Sequence, residues 1–324
     1  MNKSIAALID KLSLFYVERE WKRGKDYFDR RDIALYLKEE FLKDKELFYA
    51  NNKLPKINQS LISSSDSYKV YDLSFKSPLP SPYPENNLVY GEYYKIKEKT
   101  DTMIILHGWR IKNFLFYHQA CRRFIDFGLN SILLTLPYHL KRAPEDTVSG
   151  EYTVSSDIIR TMEAFRQSVI EVRSIVDFLK KRGVKKIGIL GTSFGGWVGG
   201  MLAVVEPRIN FAILIAPAAN PERILLRGKI GKLLRKDYPE VKTLPQKFLR
   251  ALRITNPTLF KPLIKKENIL LIESLYDQIV PNFVVENLWR AWGKPPIRRY
   301  PQGHLSLLFF EKRLFKDIRE FLKR

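Results

Sequence analysis

The amino-acid sequence predicts an α/β protein with a doubly wound, mostly parallel sheet, a helical N-terminal extension and a helical cap insertion. From Tyr68 onward, short apolar runs alternate with helical periodicities, the order typical of parallel strands and crossover helices. Residues 1–66 lack this rhythm, and a long basic segment, residues 217–266, interrupts it. We therefore expect one core made of residues 67–216 and 267–324.

The N-terminal 66 residues are predicted to contain helices followed by a linker. Residues 5–50 are expected to form two or three amphipathic helices, because apolar side chains recur at helical spacing. These side chains include Leu8, Leu12, Phe15 and Tyr16. Residues 51–66 are polar and contain three consecutive serines, which favours a linker. The extension either covers a pocket or makes an oligomer contact, and the sequence leaves both open.

The core is predicted to contain eight strands and five helices. The predicted strands are residues 68–75, 88–96, 102–106, 131–136, 186–190, 211–215, 269–273 and 296–300. The predicted helices are residues 114–127, 157–181, 194–205, 281–292 and 304–322. Open α/β sheets bind ligands beyond the carboxyl ends of their strands, so functional residues are expected just after strand ends.

A glycine-rich turn joins the fifth predicted strand to the next helix. Its sequence, Gly191-Thr192-Ser193-Phe194-Gly195, has the G-x-S-x-G pattern in a strand-to-helix context. Such an elbow holds a serine in strained backbone geometry with its Oγ exposed at the sheet edge. The alternative is a turn whose glycines only permit close packing. A serine hydroxyl is a weak nucleophile until a base takes its proton, so a histidine and an acid are also required.

His304 and Asp277 are the candidate base and acid. Of the four histidines, only His304 follows Ser193, and it lies after the last predicted strand. Asp277 follows the preceding strand; Glu273 is expected inside that strand, and no acid directly follows strand 211–215. The alternatives are a surface histidine at a helix N-terminus and an N-capping aspartate.

Two backbone N–H groups are candidates for binding the oxyanion of a tetrahedral intermediate. One belongs to Phe194, directly after the serine, and the other to Trp109, after the third predicted strand. His107 is expected to brace this second loop. After the fourth strand, Tyr138 and His139 either face the substrate or pack their own loop.

These motifs resemble the α/β-hydrolase superfamily, in its order and spacing, over roughly four fifths of the chain. They are His107-Gly108-Trp109, Gly191 to Gly195, Asp277 with Val280-Pro281, and Gly303-His304. The early strands and the long helix 157–181 look most like the group that includes dienelactone-hydrolase-like and prolyl-oligopeptidase-like enzymes.

The resemblance implies a serine hydrolase that cleaves a carboxylic ester or thioester, without a metal or organic cofactor. It assigns the nucleophile to Ser193, the acid to Asp277, the base to His304, and the oxyanion donors to Trp109 and Phe194. A prolyl-oligopeptidase-like peptidase and a lipid deacylase remain alternatives, and so does a non-catalytic binding protein on the same fold.

The formal net charge of +21 favours anionic partners. Residues 221–266 carry 13 basic and three acidic side chains, a balance of +10. This segment lies where the resemblance places a cap. Its basic face is either simply solvated or a docking surface for an anionic ester or acyl substrate or for anionic lipid. Nucleic acid is not expected, because no binding motif accompanies the charge.

The remaining sequence features suggest a cytoplasmic protein, and they leave its oligomeric state undetermined. Cys121 is the single cysteine, which excludes an intramolecular disulfide and a cysteine-based zinc site. Asp10, Lys11 and Glu18 interrupt the N-terminal apolar run, so it lacks the pattern of a signal peptide. No run reaches the roughly 20 apolar residues of a membrane span.

Overall fold

A computed structural model describes residues 2–21, 44–51, 54–236 and 246–323 of the chain. The strands in these ranges are β1 (Asn58–Ser64), β2 (Lys69–Lys76), β3 (Leu88–Lys95), β4 (Thr102–Leu106), β5 (Asn130–Leu134), β6 (Ile187–Thr192), β7 (Phe211–Ile215), β8 (Ile269–Ser274) and β9 (Ile297–Tyr300). They form one sheet in the order β1-β2-β3-β5-β4-β6-β7-β8-β9. Pairs β1–β2, β2–β3 and β3–β5 are antiparallel and the other five are parallel, so the predicted α/β class with a mostly parallel sheet is confirmed.

Helices cover both faces of the sheet. Their bounds are α1 (Lys3–Arg19), α2 (Lys45–Phe48), α3 (Leu115–Asp126), α4 (Ile158–Lys181), α5 (Phe194–Val205), α6 (Pro221–Arg227), α7 (Lys229–Lys236), α8 (Gln246–Leu252), α9 (Asn282–Ala291) and α10 (Glu311–Leu322). Helices α3 and α10 share one apolar cluster, and α4, α5 and α9 share the other. Because both faces are covered, β4, β5, β6 and β8 are buried along their whole length, which explains their uninterrupted apolar runs.

Strand β1 replaces part of the predicted linker. Residues 58–64 pair antiparallel with β2, with a register shift between Leu61 and Ser63. Most of the strand's side chains are exposed, so the sequence has no apolar alternation that would reveal it. The expected helices of residues 5–50 are present as α1 and the short α2, and residues 22–43 lie outside the described ranges.

The basic insertion is helical where it is described. Between β7 and β8 it forms α6, α7 and α8, followed by two 3₁₀ turns, Arg253–Thr255 and Pro257–Leu259; residues 237–245 lie outside the described ranges. Leu225, Ile230 and Leu234 turn inward and are buried. None of the helices in the described ranges is both long enough and apolar enough to cross a membrane.

A buried ion pair fixes the loop after β5 to helix α4. Arg142 donates two hydrogen bonds to Glu171, of 2.7 and 2.8 Å, and both side chains are fully buried. The guanidinium also donates to the carbonyl groups of Thr135 and Asn86. Because every charged atom has a partner, the pair orders the loop that carries Tyr138 and His139.

Breaking this pair on one side is expected to destabilise the protein strongly. Arg142→Met leaves the Glu171 carboxylate buried without its partner and should lower the free energy of unfolding by about 3–5 kcal/mol. Arg142→Met combined with Glu171→Met removes both charges and should recover much of that loss. The matched control is Arg290→Met, which breaks the exposed pair with Glu286 and should cost about 0.5 kcal/mol or less. Chemical denaturation measures all three, and equal losses for Arg142→Met and Arg290→Met would contradict the prediction.

Candidate active site

Ser193 occupies a strained turn between β6 and α5. Its backbone angles are φ 54° and ψ −111°, a conformation that side-chain-bearing residues rarely adopt. Two hydrogen bonds hold the turn against its neighbours. The Ser193 N–H donates to the Ile215 carbonyl at 2.8 Å, and the Gly195 N–H donates to the His107 carbonyl at 3.1 Å. The strain is therefore maintained by the ends of β7 and β4.

The two glycines of the G-x-S-x-G motif are sterically required. A Cβ atom on Gly191 would collide with the Gly195 carbonyl, and a Cβ atom on Gly195 would collide with the Leu106 carbonyl. Both obstacles are backbone atoms and cannot rotate away. The tight turn thus depends on the absence of side chains at these two positions.

Asp277 and His304 form a buried pair at the ends of the last two strands. The Asp277 Oδ2 and His304 Nδ1 atoms are 2.6 Å apart. The other carboxylate oxygen of Asp277 accepts the N–H groups of Ile279 (2.8 Å) and Val280 (2.7 Å). Because Asp277 engages Nδ1, Nε2 is the ring nitrogen of His304 that remains to act as a base.

The pair raises the pKa of the His304 imidazole. Burial alone would lower this pKa, since a buried cation loses its hydration. The negative charge of Asp277, its hydrogen bond to the ring and the negative charge of Asp10 together outweigh burial, and the pKa of His304 lies above its ordinary value. Asp277 thus orients the ring and favours its protonated form.

The loop after β4 presents the Trp109 N–H group. Its neighbours on either side are already engaged: the Gly108 N–H donates to Tyr117 Oη at 2.8 Å, and the Arg110 N–H donates to His139 Nε2 at 3.2 Å. In the described part of the chain, the Trp109 N–H has no hydrogen-bond partner. Phe194 is the first residue of α5, so its N–H has no acceptor one turn earlier. Both N–H groups proposed from the sequence are therefore available.

His107 and His139 brace this loop as neutral rings. His107 Nδ1 donates to the Gly108 carbonyl at 2.8 Å, and its Nε2 accepts the Leu136 N–H at 2.9 Å. Burial lowers the pKa of His107 to about 4 and holds that of His139 well below its ordinary value. His139 Nδ1 contacts the Pro137 carbonyl at 2.9 Å.

Tyr138 and His139 pack their own loop rather than the wall of the cavity beside Ser193. Tyr138 is buried and packs edge-on against the rings of Tyr83 and Tyr152. Neither Tyr138 nor His139 is among the described residues that line the cavity. Of the two roles left open by the sequence, the geometry fits packing: His139 accepts the Arg110 N–H and its ring packs against that of His107.

One cavity of about 380 Å³ contains both Ser193 and His304. Trp109 and Phe194 line it, and most of the remaining wall is apolar. Helix α5 contributes Trp197, the cap contributes Ile224, Leu225, Ile230 and Leu234, and α1 contributes Leu14, Tyr16 and Val17. Helix α1 and the cap helix α7 pack together beside this cavity, so the N-terminal extension covers part of it.

Sequence reasoning missed two residues that shape the site. Tyr117 holds the Gly108 N–H, and nothing in the pattern of α3 distinguishes it from an ordinary core aromatic. Asp10 lies on α1, fully buried against the loop of His304, whereas in the sequence it only interrupts an apolar run. The signal that could have found Asp10 is its position four residues after Ala6, on the buried side of the helix. This signal is visible only when the structure shows which side of the helix is buried.

The geometry agrees with the comparison against known families. The family described as alpha/beta hydrolase domain containing 18 matches residues 28–222, which is more than half of the chain. The chain belongs to this family. The matched range includes Trp109, Ser193 and Phe194 and ends before Asp277 and His304. The α/β-hydrolase resemblance recognised in the sequence is thereby confirmed.

The curated relatives carry no description of an activity. An uncharacterized protein of Mycobacterium tuberculosis, present in strains CDC 1551 / Oshkosh and ATCC 25618 / H37Rv, is 27% identical over 247 residues. The alignment covers 74% of this chain and 57% of that protein, so the chain spans little more than half the length of these relatives. An uncharacterized protein of Bacillus subtilis (strain 168) is 28% identical over 93 residues, 29% of this chain and 80% of its own.

Solved structures with this fold include esterases and a peptidase. Acetyl xylan esterase from Paenibacillus sp. R4 superposes with a TM-score of 0.66 at 16% identity, covering 94% of this chain and 98% of its own. Acetyl xylan esterase 1 from Thermoanaerobacterium sp. JW/SL YS485 gives 0.63 at 16% identity, with 90% and 93% covered. Pyrococcus horikoshii acylaminoacyl peptidase gives 0.55 at 17% identity, with 86% and 43% covered. At these identities the likeness concerns the fold.

The titration of His304 is expected to depend on Asp277. In a histidine-labelled protein, NMR should show the His304 ring titrating above its ordinary pKa, while the pKa of His107 lies at about 4 and that of the buried His139 well below its ordinary value. Asp277→Asn removes the carboxylate and should move the His304 titration to lower pH. Asp126→Asn, at an exposed carboxylate, is the control and should leave it in place; His304→Gln assigns the signal. A His304 signal that ignores the Asp277 substitution would contradict the pairing.

Proposed function

We propose that the protein is a serine hydrolase that cleaves a carboxylic ester or thioester through an acyl-enzyme on Ser193. The observation that carries the proposal is the shared cavity: the strained Ser193 and His304, which is paired with the buried Asp277, line the same space. A serine, an imidazole and a carboxylate in this relation form the nucleophile, base and orienting group of acyl transfer.

The reaction begins when Ser193 Oγ attacks the substrate carbonyl carbon and His304 Nε2 accepts the hydroxyl proton. The tetrahedral oxyanion then accepts hydrogen bonds from the N–H groups of Trp109 and Phe194. As the intermediate collapses, the leaving alcohol or thiol takes the proton from His304. Water, deprotonated by His304, next attacks the acyl carbon and releases the acid together with free Ser193.

The cavity wall favours an apolar acyl group. Its volume of about 380 Å³ falls in the range of about 300–1,000 Å³ that is usual for small-molecule sites. The side chains deep in this wall, among them Trp197 and Leu225, are buried and apolar. A hydrocarbon chain gains free energy by leaving water for such a surface, whereas a peptide backbone would lose hydrogen bonds there. Ester or thioester cleavage is therefore preferred to peptide cleavage.

A fluorophosphonate probe tests Ser193 directly. The intact mass of the wild type should rise by one adduct that peptide mapping places on Ser193, because the probe reports an activated serine. Ser193→Ala should lose both the adduct and the hydrolysis of nitrophenyl esters of graded chain length. Ser13→Ala, at another serine on the cavity wall, is the matched control and should still be labelled. Full esterase activity in Ser193→Ala would reject the proposal.

A second candidate function is deacylation of anionic lipid at a membrane surface, favoured by the outer face of α1. Five apolar residues of this helix are each more than half exposed: Ile5, Leu8, Leu12, Phe15 and Tyr16. Their spacing of three and four residues puts them along one side of the helix. Tyr16 also lines the cavity, so this apolar surface borders the cavity mouth.

The charges beside α1 favour an anionic partner for this surface. Helix α7 packs against α1, and the basic residues Arg223, Arg227, Lys229 and Lys232 of α6 and α7 are exposed. An apolar helix face flanked by cations is typical of segments that lie in the headgroup region of anionic membranes. Each basic residue held near such a surface contributes roughly 1 kcal/mol of attraction.

Vesicle sedimentation tests this second function. The wild type should bind anionic but not neutral vesicles, and salt should weaken binding because the Debye length falls from about 10 Å at 0.1 M to 3 Å at 1 M. Two triple variants should each weaken binding at least about tenfold. They are Leu8→Gln with Leu12→Gln and Phe15→Gln, and Arg223→Gln with Arg227→Gln and Lys232→Gln. The basic variant loses contacts of roughly 1 kcal/mol each, and the apolar variant loses the burial of two Leu side chains and one Phe side chain. Lys229 is kept because it donates to Gln278, beside Asp277.

The control variant removes the same number of charges from the opposite end of the parallel strands. Lys181→Gln with Lys185→Gln and Lys266→Gln changes exposed residues near the amino ends of β6 and β8 and should bind vesicles like the wild type. Equal losses in both charge variants would mean that only net charge matters. A wild type that forms dimers in solution and ignores vesicles would assign the α1 face to a second copy of the chain.

A further inference from the structure

Asp10 is a buried carboxylate that the reaction scheme above does not use. Only Ala6 and Asp10 of helix α1 are buried, four residues apart on one side of the helix. Moving a carboxylate out of water is costly unless hydrogen bonds replace the water. The position therefore requires specific partners, and these partners are the loops that carry the catalytic acid and base.

The Asp10 carboxylate accepts three backbone N–H groups from two loops. Its Oδ2 accepts from His304 at 2.8 Å and from Gln278 at 3.0 Å, and its Oδ1 accepts from Leu305 at 3.1 Å. One donor is the backbone of the base itself, and another directly follows the acid, Asp277. Hydrogen bonds to an ionised acceptor are about twice as strong as neutral ones, so Asp10 links the two loops firmly.

The loop is shaped to receive the helix. A Cβ atom on Gly303 would lie 2.8 Å from the Ala6 carbonyl and 2.8 Å from Asp10 Oδ2, so only glycine allows the helix to approach this closely. At its other end, α1 meets the loop after β4 that carries Trp109, the proposed oxyanion loop, where Glu20 pairs with Arg110 at 3.0 Å. The helix therefore contacts the loops of the base, the acid and the oxyanion donor.

We propose that helix α1 belongs to the catalytic centre. Its residue Asp10 is a positioning residue that holds the His304 loop against the Asp277 loop. The inference rests on the proposed acyl transfer at Ser193, because only then does the placement of His304 set a rate. Asp10 does not touch the substrate. It acts by fixing the backbone from which the imidazole projects and by adding a second negative charge beside the ring.

The charge gives a signature that a purely structural role lacks. The carboxylates that act on the His304 ring are those of Asp277, from the loop after β8, and Asp10, from α1. Lys3, above the Tyr276 ring, and Lys229, bonded to Gln278, lie beside the same acid loop. Both carboxylates raise the pKa of His304, whereas burial lowers it. Because the base acts as the neutral ring, the rate rises with pH through this pKa.

The test is the pH profile of kcat/KM for Asp10→Asn with a nitrophenyl ester. The variant loses the charge and at least one of the three hydrogen bonds. Its acid limb should move to lower pH, and its kcat at the plateau should fall by up to about 100-fold, the cost of a misplaced reacting group. Glu18→Gln removes one carboxylate from the exposed side of the same helix and should keep the wild-type profile.

Gly303→Ala separates position from charge. The added Cβ pushes the helix from the loop while every charge remains, so kcat should fall while the acid limb stays closer to the wild-type pH than in Asp10→Asn. This variant also serves as the test if Asp10→Asn does not fold. A wild-type kcat and acid limb in folded Asp10→Asn, or full activity in Gly303→Ala, would overturn the inference.

The two proposals fail in different ways. A wild type that is not labelled at Ser193 by a fluorophosphonate would reject the proposed function itself. A wild type that is labelled, together with an Asp10→Asn variant that matches its labelling rate at every pH, would reject only the role of Asp10. Thermal unfolding of each variant, monitored by circular dichroism, verifies that a lower rate belongs to a folded protein.

Discussion

The close contact between the Ser193 turn and the ends of β4 and β7 is the constraint on which the rest of the site depends. The turn is strained, and it persists because Gly191 and Gly195 allow backbone to lie against backbone. The same contact brings the His107 carbonyl to the Gly195 N–H and thereby sets the oxyanion loop beside the serine. One packing requirement thus positions both Ser193, the proposed nucleophile, and the N–H groups proposed to bind the oxyanion of the tetrahedral intermediate.

Around this contact, buried polar groups hold the loops of the site in place. The Arg142–Glu171 pair orders the loop after β5, His107 and His139 brace the oxyanion loop as neutral rings, and Asp10 joins the two remaining loops. Each is fully buried and hydrogen-bonded, as buried polar groups must be. Apolar packing alone would not select one arrangement of loops so narrowly, because it lacks direction.

The parts of the fold that the sequence predicted are those in which local pattern and burial agree. Strands β4 and β7 and helix α5 have the predicted bounds because uninterrupted apolar runs fill them. The chain order of strand ends was enough to pair Asp277 with His304. The exposed strand β1 and the role of Asp10 were not predictable, because both depend on a partner far away in the chain: β1 on backbone pairing, and Asp10 on a loop that folds from the other end.

Asp10 and His304 are 294 positions apart in the sequence. Closing so long a loop costs chain entropy, which the contacts made by the rest of the fold must offset. During synthesis on the ribosome, helix α1 emerges long before the loop against which it docks, so the Asp10 carboxylate stays in water until that loop has been made. A nascent chain would therefore carry the Ser193 turn before the Asp277–His304 pair exists, and the proposed acyl transfer would require the loop after β9 to be in place.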